Sequence, residues 1–467
     1  MIAFSLAELA EILDGTLELP TGVGQDLVVD GEVCVDSRLA DAGSIFFALP
    51  GESTDGHLFA AAAVANGASL LVAERRLDIA VPQIVVPNSL DGLSALARTV
   101  VARVRDAGGL KIVGITGSNG KTTTKNMLRA ILERVGPVVA PQGSYNNQVG
   151  APLSMLAVEP GTRFLLVEMG ASAVGEIAHL VSIVMPNVAV VLKVGLAHVG
   201  GFGSIEETQK AKAELVTGLP STAVAILNAD DSRVVAMAGQ TAARVTWFGL
   251  SDQADVRAEN LVTSDSGTGF TLVTGPVRRD VQLRLLGEHN VMNALAAIAA
   301  TAQLGVELDV AIAALEELVR AERWRMELLE SPTGALVIND AYNASPDSMA
   351  AALKTLAEIT RDGHRSFAVL GEMAELGEFG DEEHDRIGRL VVRLNVGKLI
   401  VVGHAARHIH NAAGLEGSWG GESVLVNTAD EAYDLLRGEL RSGDVVLVKS
   451  SNSAELRLLG DRLGGVN

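Results

Sequence analysis

The sequence predicts an α/β protein of three domains, and three observations lead to that prediction. The chain has 467 residues, which exceeds the length of one ordinary domain. Short apolar runs typical of buried strands alternate with helical segments along its whole length. One strand–helix unit carries a glycine-rich turn followed by Lys-Thr. We therefore predict an N-terminal domain over residues 1–87, a central domain with a mostly parallel sheet over residues 88–322, and a C-terminal doubly wound, Rossmann-like domain over residues 323–467.

The composition is that of a globular protein, and it excludes several classes of function. Hydrophobic residues make up 48% of the chain and charged residues 20%, which suffices for several cores. The formal net charge of −20 opposes nucleic-acid binding, which needs a basic face, but not an anionic small substrate. Cys34 is the only cysteine, so no intrachain disulfide can form. No signal peptide or membrane-spanning apolar run stands out, so we expect a cytoplasmic monomer without membrane insertion.

The N-terminal domain opens with a capping box, Ser5 to Glu8, ahead of an amphipathic helix. Its strands are predicted at residues 33–35, 45–48, 70–73 and 83–86, with one Ala-rich helix near residues 58–65. Two polar stretches, DSR at 36–38 and GESTDGH at 51–57, are typical of surface turns. Alternatively, Ser37 and Arg38 could bind a diphosphate, since a guanidinium pairs with phosphate oxygens in a bidentate manner.

Residues 111–125, KIVGITGSNGKTTTK, have the layout of a phosphate-binding loop. A buried strand leads into a glycine turn, and a helix follows. Glycines let backbone N–H groups approach phosphate oxygens, and the helix N-terminus adds partial positive charge. Lys121 would reach the β- and γ-phosphates, and the Thr122 hydroxyl would bind Mg²⁺. The strict pattern has glycine where this chain has Ile115, so the loop is a T-G-x-N-G-K-T variant that predicts nucleotide binding.

Two side chains of interest follow strands of the central domain. Glu168 ends a strand over residues 164–167, at the edge where the ligand crevice of a parallel sheet lies. It could cap a neighbouring helix, but next to a phosphate loop we predict that it binds Mg²⁺. His198 follows a strand over residues 188–194. A lone histidine is usually structural, and only this position at the end of a strand favours a functional role.

The rest of the central domain is predicted to have mainly a structural role. A helix over residues 205–215 carries Lys210 and Lys212, and the default interpretation of such lysines is a solvated helix face. Residues 240–285 are predicted to be rich in strands. The helix at residues 292–304 is alanine-rich on all sides, which favours burial.

The C-terminal domain alternates strands and helices without a phosphate loop of its own. Polar motifs follow two of its strands, DAYNA at 340–344 and GEMAELG at 371–377. Ser345 and Pro346 then begin a helix, with Ser as the N-cap and Pro at the first helical position. Because both motifs lie at the carboxyl ends of strands, they are predicted to border a ligand crevice.

Taken together, these motifs resemble the Mur ligases, a family of peptidoglycan synthesis, over essentially the whole chain. The motifs that carry the resemblance are DSR at 36–38, DGH at 55–57, TGSNGKT at 116–122, NNQVG at 146–150, EMG at 168–170, NADD at 228–231, GEHN at 287–290, DAYNA at 340–344, GEMAELG at 371–377 and KSS at 449–451. Within the family, DAYN and GEMAELG point to the members that add a dipeptide. The resemblance implies an ATP-dependent ligase that adds D-alanyl-D-alanine to UDP-N-acetylmuramoyl-tripeptide through an acyl phosphate, in cell wall biosynthesis.

The resemblance also implies roles for individual residues. It implies two Mg²⁺ ions, with Thr122, Glu168 and His198 as ligands, and a carbamylated lysine matched to Lys212 by its spacing before Glu214-Leu215. The catalytic set would be Lys121, Glu168, His198 and Lys212. The ATP-binding set would be Gly117, Ser118, Asn119, Gly120, Lys121, Thr122, Thr123, Asn228, His289, Asn290 and Arg325. The substrate-binding set would be Ser37, Arg38, Asn146, Asn147, Asp340, Asn343, Glu372 and Lys449.

Two positions depart from the family's usual residues. The family usually has Asn where this chain has Ser345, which keeps the N-cap chemistry, and Gly where it has Trp324, which changes how Arg325 is presented. Three alternatives stay open at this point: addition of another amino acid to the same muramoyl precursor, addition of glutamate to folate, and a nucleotide-dependent switch or scaffold. We expect the three domains to close on their substrates, because the reacting phosphate must be shielded from water.

Overall fold

The computed structural model describes residues 1–51, 54–141, 143–196, 199–361, 363–417 and 419–466. Three main sheets follow one another along the chain, each flanked by helices. The architecture is therefore α/β with large, mostly parallel sheets, as predicted. Among the described residues, no helix combines the length and the apolar character needed to cross a membrane.

The N-terminal sheet has five strands, which are parallel except for the first along the chain. In spatial order they are Thr16–Glu18, Gln83–Val85, Leu70–Ala73, Ile45–Phe47 and Val33–Cys34. A separate ribbon pairs Phe4–Ser5 with Val28–Val29, and the helices are Leu6–Ile12 and Ala60–Ala65. The capping box of Ser5 and Glu8 is present as predicted. The predicted helix near 58–65 starts instead as a 3-10 turn, Gly56–Phe59, because the Asp55 side chain caps the His57 N–H group there.

The central sheet has nine strands, and the phosphate-loop strand is the third from one edge. In spatial order they are Val277–Leu283, Gly267–Thr274, Val256–Ser264, Arg244–Gly249, Val224–Asn228, Val188–Val191, Lys111–Thr116, Phe164–Glu168 and Val138–Val139. The first three strands are joined to one another antiparallel, and the remaining pairs are parallel. The antiparallel strands agree with the strand-rich region predicted at 240–285. The helices are Ser89–Asp106, Lys121–Leu132, Gly150–Met155, Glu176–Val184, Val199–Phe202, Ile205–Thr217, Ser232–Val235, Glu288–Ala302 and Leu308–Glu317.

The C-terminal sheet has six strands, and only its first strand is antiparallel to its neighbour. In spatial order they are Glu327–Glu330, Leu336–Asn339, Val445–Lys449, Ser366–Leu370, Lys398–Val402 and Glu422–Val426. The helices are Pro346–Ile359, Gly380–Arg393, Arg407–Leu415, Ala429–Glu439 and Leu456–Leu463. The DAYNA and GEMAELG motifs follow strands on either side of Val445–Lys449, so one edge of this sheet brings both motifs together.

The N-terminal and central sheets share one continuous apolar core. Helix Ser89–Asp106 lies between them, and its buried Leu93 and Val100 belong to a cluster that contains both Phe47 of the first sheet and Leu165 of the second. Two predicted elements needed correction in the central domain. The strand expected at 188–194 ends at Val191, and the helix expected at 292–304 spans Glu288–Ala302, buried on nearly all sides.

Candidate active site between the central and C-terminal sheets

The phosphate loop has the backbone that its glycines predict. Gly117 has a φ of +155° and Gly120 a φ of +87°, and a Cβ at Gly120 would lie 2.4 Å from Oδ1 of Asn293. Helix Lys121–Leu132 begins directly after Gly120, with no side chain capping its first N–H groups. These N–H groups are the donors that a phosphate would use.

Glu168 lies at the centre of the site, at the end of the strand next to the phosphate-loop strand. Its side chain is buried, with a relative exposure of 1%. The Thr122 hydroxyl donates to Oε2 of Glu168 over 3.0 Å, and Nδ2 of Asn146 donates to Oε1 over 2.8 Å. A hydroxyl and a carboxylate side by side are oxygen ligands that suit Mg²⁺, which uses few protein ligands and keeps water or phosphate oxygens.

The chain that follows strand Val188–Val191 turns towards the phosphate loop instead of extending the sheet. The Ser118 N–H group donates to the Lys193 carbonyl over 2.8 Å, and the Gly195 N–H group donates to Oγ of Ser118 over 2.8 Å. The Asp231 carboxylate accepts from the Val194 N–H group over 2.9 Å. These bonds explain why the strand is shorter than predicted, since the backbone groups of residues 193–195 are used by the loop.

Three cationic side chains lie around this centre, and burial affects two of their pKa values. Burial lowers the pKa of Lys121, whose Nζ donates to the Gly117 carbonyl over 2.8 Å; nearby Glu168 opposes that shift and Arg325 adds to it. Burial, with a contribution from Lys121, lowers the pKa of Lys212 to about 7. Arg325 stacks on the Tyr342 ring, with 4.4 Å between its Cζ and the ring centroid.

Lys212 is not on a solvated helix face, which corrects the default interpretation from the sequence. Its relative exposure is 3%, whereas the side chain of Lys210 on the same helix is 65% exposed. The Phe202 ring lies 5.9 Å from Nζ of Lys212, and this ring helps to exclude water from the amine. Glu214, one turn away from Lys210, accepts from the Gly175 and Ala178 N–H groups and so fixes this helix against its neighbour.

An open cleft of about 1450 Å³ lies between the central and C-terminal sheets. It brings together most of the residues predicted from the sequence. Those that line it are Ser118, Asn119, Gly120, Lys121, Thr122, Thr123, Asn146, Asn147, Glu168, Lys212, Asn228, His289, Asn290, Arg325, Asp340, Asn343 and Lys449. His198 lies outside the described residues.

Several predicted residues lie elsewhere or have other partners. Ser37 and Arg38 are in the N-terminal domain away from the cleft, and Nη2 of Arg38 donates to Oδ2 of its neighbour Asp36 over 2.6 Å. Gly117 and Glu372 do not line the cleft; the Glu372 carbonyl accepts from the Ser451 N–H group over 2.8 Å.

Two of the predicted amide side chains that line the cleft also hold neighbouring backbone. Oδ1 of Asn147 accepts from the Gly150 N–H group and so caps the helix that begins at Gly150. Asn228 donates from Nδ2 to the Leu192 carbonyl over 2.8 Å. Both side chains therefore contribute to the shape of the cleft through the loops that they hold.

The C-terminal side of the cleft is organised by Lys449, whose side chain is only 2% exposed. Its Nζ donates to Oδ2 of Asp340 over 2.6 Å and to the Asn343 carbonyl over 3.1 Å. Oδ1 of Asp340 in turn accepts from the Met326 N–H group over 3.0 Å. Lys449 therefore fixes the DAYNA turn and, through Asp340, the backbone next to Arg325.

Some residues of the site were not singled out from the sequence. The Tyr342 hydroxyl lies 2.8 Å from Oγ of Ser144, and Nζ of Lys193 lies 3.1 Å from Oδ1 of Asp347. Both contacts join the central domain to the C-terminal domain. No short-range pattern could reveal them, because the partners are about 150 to 200 residues apart in the chain.

Trp324 adopts a backbone conformation that favours glycine. Its φ is +58°, and its indole N–H group donates to Oδ2 of Asp461 over 2.9 Å. This conformation accounts for the glycine that the family usually has at this position. The neighbouring guanidinium of Arg325 has a buried Nε without a hydrogen-bond partner among the described residues, so it has a donor left for an anionic ligand.

Comparisons with known proteins agree with this geometry. Three sequence models match the chain: "Mur ligase family, catalytic domain" over residues 32–107, "Mur ligase middle domain" over residues 115–301, and "Mur ligase, glutamate ligase domain" over residues 324–452. A Mycobacterium bovis protein is 44% identical over 99% of this chain and 98% of its own length.

The chain belongs to the Mur ligase family.

The M. bovis relative is named UDP-N-acetylmuramoyl-tripeptide--D-alanyl-D-alanine ligase, as is an Escherichia coli relative that is 35% identical over 98% of this chain and 97% of its own length. Among solved structures, MurF from Acinetobacter baumannii superposes with a TM-score of 0.89 and 29% identity, covering 100% of this chain and 99% of its own. MurF ligase from Thermotoga maritima in complex with ADP superposes with a TM-score of 0.82 and 28% identity, covering 93% and 97%.

Proposed function

We propose that the protein is an ATP-dependent ligase that joins D-alanyl-D-alanine to UDP-N-acetylmuramoyl-tripeptide in peptidoglycan synthesis. One observation carries the proposal: a phosphate loop with a buried Thr122–Glu168 pair faces the DAYNA turn of the C-terminal sheet across a single cleft. The relatives that match nearly the full chain share the name of this activity. Because the reaction consumes ATP, we place it in the cytoplasm, and we propose that the protein acts as a monomer.

The residues around the phosphate loop fit ATP and Mg²⁺. The uncapped N-terminus of helix Lys121–Leu132, the Lys121 amine and the Arg325 guanidinium supply the donors for the phosphates. Thr122 and Glu168 supply oxygen ligands for Mg²⁺, which would neutralise charge on the β- and γ-phosphates. The ADP bound in the T. maritima relative supports a nucleotide in this cleft.

The reaction has two steps, for which the protein mainly supplies positions and charges. A carboxylate oxygen of the tripeptide attacks the γ-phosphorus, the bond to the β–γ bridging oxygen breaks, and ADP leaves. The neutral amine of the dipeptide then attacks the acyl carbon, inorganic phosphate leaves, and the nitrogen loses a proton. Lys121 and Arg325 stabilise the negative charge that develops on the phosphoryl oxygens. Contacts between the two domains, such as Tyr342 with Ser144, help to keep water out.

We propose that Lys212 is carbamylated and that His198 contributes to a second Mg²⁺ site. A carbamate forms from a neutral amine, and burial lowers the pKa of Lys212 to about 7. The product would be an anionic group in the cleft that also contains Thr122 and Glu168, where it could bind or orient a cation. Among the described residues, no group of three His, Cys, Asp or Glu side chains is close enough to hold a metal, which is consistent with a Mg²⁺ site completed by phosphates and water.

We propose that the dipeptide binds beside the DAYNA turn and that the UDP group binds the N-terminal domain. Asp340 and Asn343 line the cleft and offer acceptors for the dipeptide amine. Lys449 is the nearby cation for the carboxylate of the dipeptide. To bind that carboxylate, the Lys449 amine would have to donate to it as well as to Asp340. Glu372 lies on the adjacent loop, and its carbonyl accepts from the Ser451 N–H group. Its contribution to the dipeptide site would come through this backbone hydrogen bond. Arg38, with 87% of its side chain exposed, has the guanidinium for the diphosphate.

A coupled ADP-release assay tests the function. We expect ADP release to require both UDP-N-acetylmuramoyl-tripeptide and D-alanyl-D-alanine. L-alanine, D-glutamate or diaminopimelate as acceptor should support far less turnover, because a wrong partner leaves buried polar groups unpaired. Faster ligation with a single amino acid, or with folate and glutamate, would assign the chain to another member of the family. ADP release without any ligatable carboxylate would instead indicate a nucleotide-dependent switch.

A further inference from the structure

The helix that begins at Pro346 in the C-terminal domain starts directly over the phosphate loop of the central domain. Its N-cap residue, Ser345, is 4% exposed, and its Oγ donates to Oδ1 of Asn119 over 3.0 Å. Two residues later, Asp347 forms an ion pair with Lys193, whose carbonyl accepts from the Ser118 N–H group. The start of one helix therefore holds two neighbouring parts of the phosphate site across the domain boundary.

The bond to Ser345 determines which end of the Asn119 amide is free. Because Oδ1 accepts from the hydroxyl, Nδ2 is the end left for another ligand. That nitrogen is buried and has no hydrogen-bond partner among the described residues. Leaving a buried N–H group without an acceptor is unfavourable, so such groups usually have a partner in the working complex. Asn119 lines the cleft next to Gly120 and Lys121, where phosphate oxygens would be the acceptors.

We propose that Ser345 is a positioning residue for phosphoryl transfer, which orients the Asn119 amide so that Nδ2 faces a phosphate oxygen of ATP. The proposal rests on the ligase function proposed above. In this proposal, the Asn119 amide is oriented to donate to a phosphate only when the C-terminal domain lies against the central domain. Domain closure and correct binding of the phosphates are thereby coupled through one hydrogen bond.

The alternative is that Ser345 serves only as a helix cap. Its Oγ accepts from the Ser348 N–H group over 3.4 Å, a long bond, while the bond to Asn119 is shorter. Substitutions can separate the two roles. Ser345→Gly removes the donor to Asn119, whereas glycine is tolerated as an N-cap with little loss of helix stability. Ser345→Asn, the residue usual in the family, keeps a cap oxygen and brings an amide donor.

The experiment measures kcat and KM for ATP in full-length wild type, Ser345→Gly, Ser345→Asn, Asn119→Ala and the double variant Asn119→Ala/Ser345→Gly. We expect Ser345→Gly to lower kcat/KM for ATP by roughly fivefold to tenfold, as for the loss of one hydrogen bond, and Ser345→Asn to restore most of it. In the Asn119→Ala background, Ser345→Gly should change kcat/KM by less than about twofold, because the partner is already absent.

A helix cap in the same domain provides the matched control. Thr428 caps helix Ala429–Glu439 through the Glu431 N–H group, away from the cleft. Thr428→Gly should shift the melting temperature about as much as Ser345→Gly without changing the KM for ATP.

Two outcomes would overturn the proposal: wild-type kinetics in Ser345→Gly, or equal effects of Ser345→Gly with and without Asn119. Failure of the ligase function is seen separately, as a wild-type protein that releases no ADP with both substrates.

Discussion

Lys449 and Asp340 form a largely buried ion pair at the ends of neighbouring strands of the C-terminal sheet, with 2.6 Å between Nζ and Oδ2. The other oxygen of Asp340 accepts from the Met326 N–H group, next to Arg325. This pair therefore connects the proposed dipeptide site to the residue proposed to contact the phosphates. Its position indicates that the C-terminal sheet shapes both the proposed dipeptide site and the proposed phosphate site of the cleft.

Removing Lys449 should be more damaging than removing both partners of that pair. Lys449→Met leaves the Asp340 carboxylate nearly buried and without its cation, which typically costs about 3–5 kcal/mol of stability. The double variant Lys449→Met/Asp340→Asn should recover part of this loss. Urea unfolding of the three proteins measures the free energies, and a double variant less stable than Lys449→Met would contradict a dominant role for the charge pair.

Lys121→Ala should abolish ligation while the fold stays intact. Lys121 is the amine of the phosphate loop, and loss of one electrostatic contact to the transition state costs about 2.7–4 kcal/mol in comparable sites. Turnover and circular dichroism check the two parts of this expectation. Lys111→Ala is the matched control, since Lys111 is exposed at the start of the strand that leads into the phosphate loop. More than about a tenth of wild-type turnover would exclude the assigned role.

Lys212→Ala should be nearly inactive and partly rescued by formate or acetate, which can replace the anionic end of a carbamate. Lys210→Ala, on the exposed face of the same helix, should retain activity. With ¹³C-labelled bicarbonate, wild type should show a carbamate resonance that Lys212→Ala lacks. A crystal structure with both metal ions bound and a bare Lys212 amine would refute the modification.

The titration of Lys212 gives this modification a pH dependence with a definite sign. Its folded pKa is lowered to about 7, below the value of about 10.4 for an unfolded lysine. The neutral amine therefore becomes more abundant as the pH rises through 7, and the carbamate signal should increase over that range. For the unmodified protein, stability should also rise between about pH 7 and pH 10, since the unfolded chain binds the extra proton.

His384 should contribute to a loss of stability in acid. Its Nε2 accepts from the Met373 N–H group in the GEMAELG loop, and burial lowers its pKa from the usual 6.5. The contribution of neutral His384 to the free energy of unfolding is therefore fully present above pH 6.5. It is lost as the pH falls below that value, because the unfolded chain binds a proton at a higher pH than the folded protein does. His384→Gln keeps an acceptor but does not titrate, so it should reduce the slope of unfolding free energy between about pH 6.5 and pH 5. Burial also lowers the pKa of His289, to about 4. Its titration therefore contributes to the pH dependence of the unfolding free energy in both the wild type and the variant. An unchanged slope would exclude His384 as a cause.

The strand, turn and helix of the phosphate loop could be predicted from the sequence because each depends on neighbouring residues. Apolar runs predict the buried strand, glycines predict the left-handed turn at Gly120, and Lys121 begins the helix. The caps at Ser5 and Ser345 were predicted on the same local grounds. The placement of Glu168 at the crevice also followed, since the carboxyl ends of parallel strands lie at one edge of the sheet.

Tertiary structure alone decided which of these groups are buried, paired or left free. Lys210 and Lys212 belong to one helical pattern, yet packing against Phe202 and the cleft removes water from only one of the two amines. Lys449, expected to be available to a ligand, is paired with Asp340 because the sheet brings two distant strand ends together. Desolvation and charge pairing depend on what surrounds a side chain in space, and the residues next to it in the chain do not specify that environment.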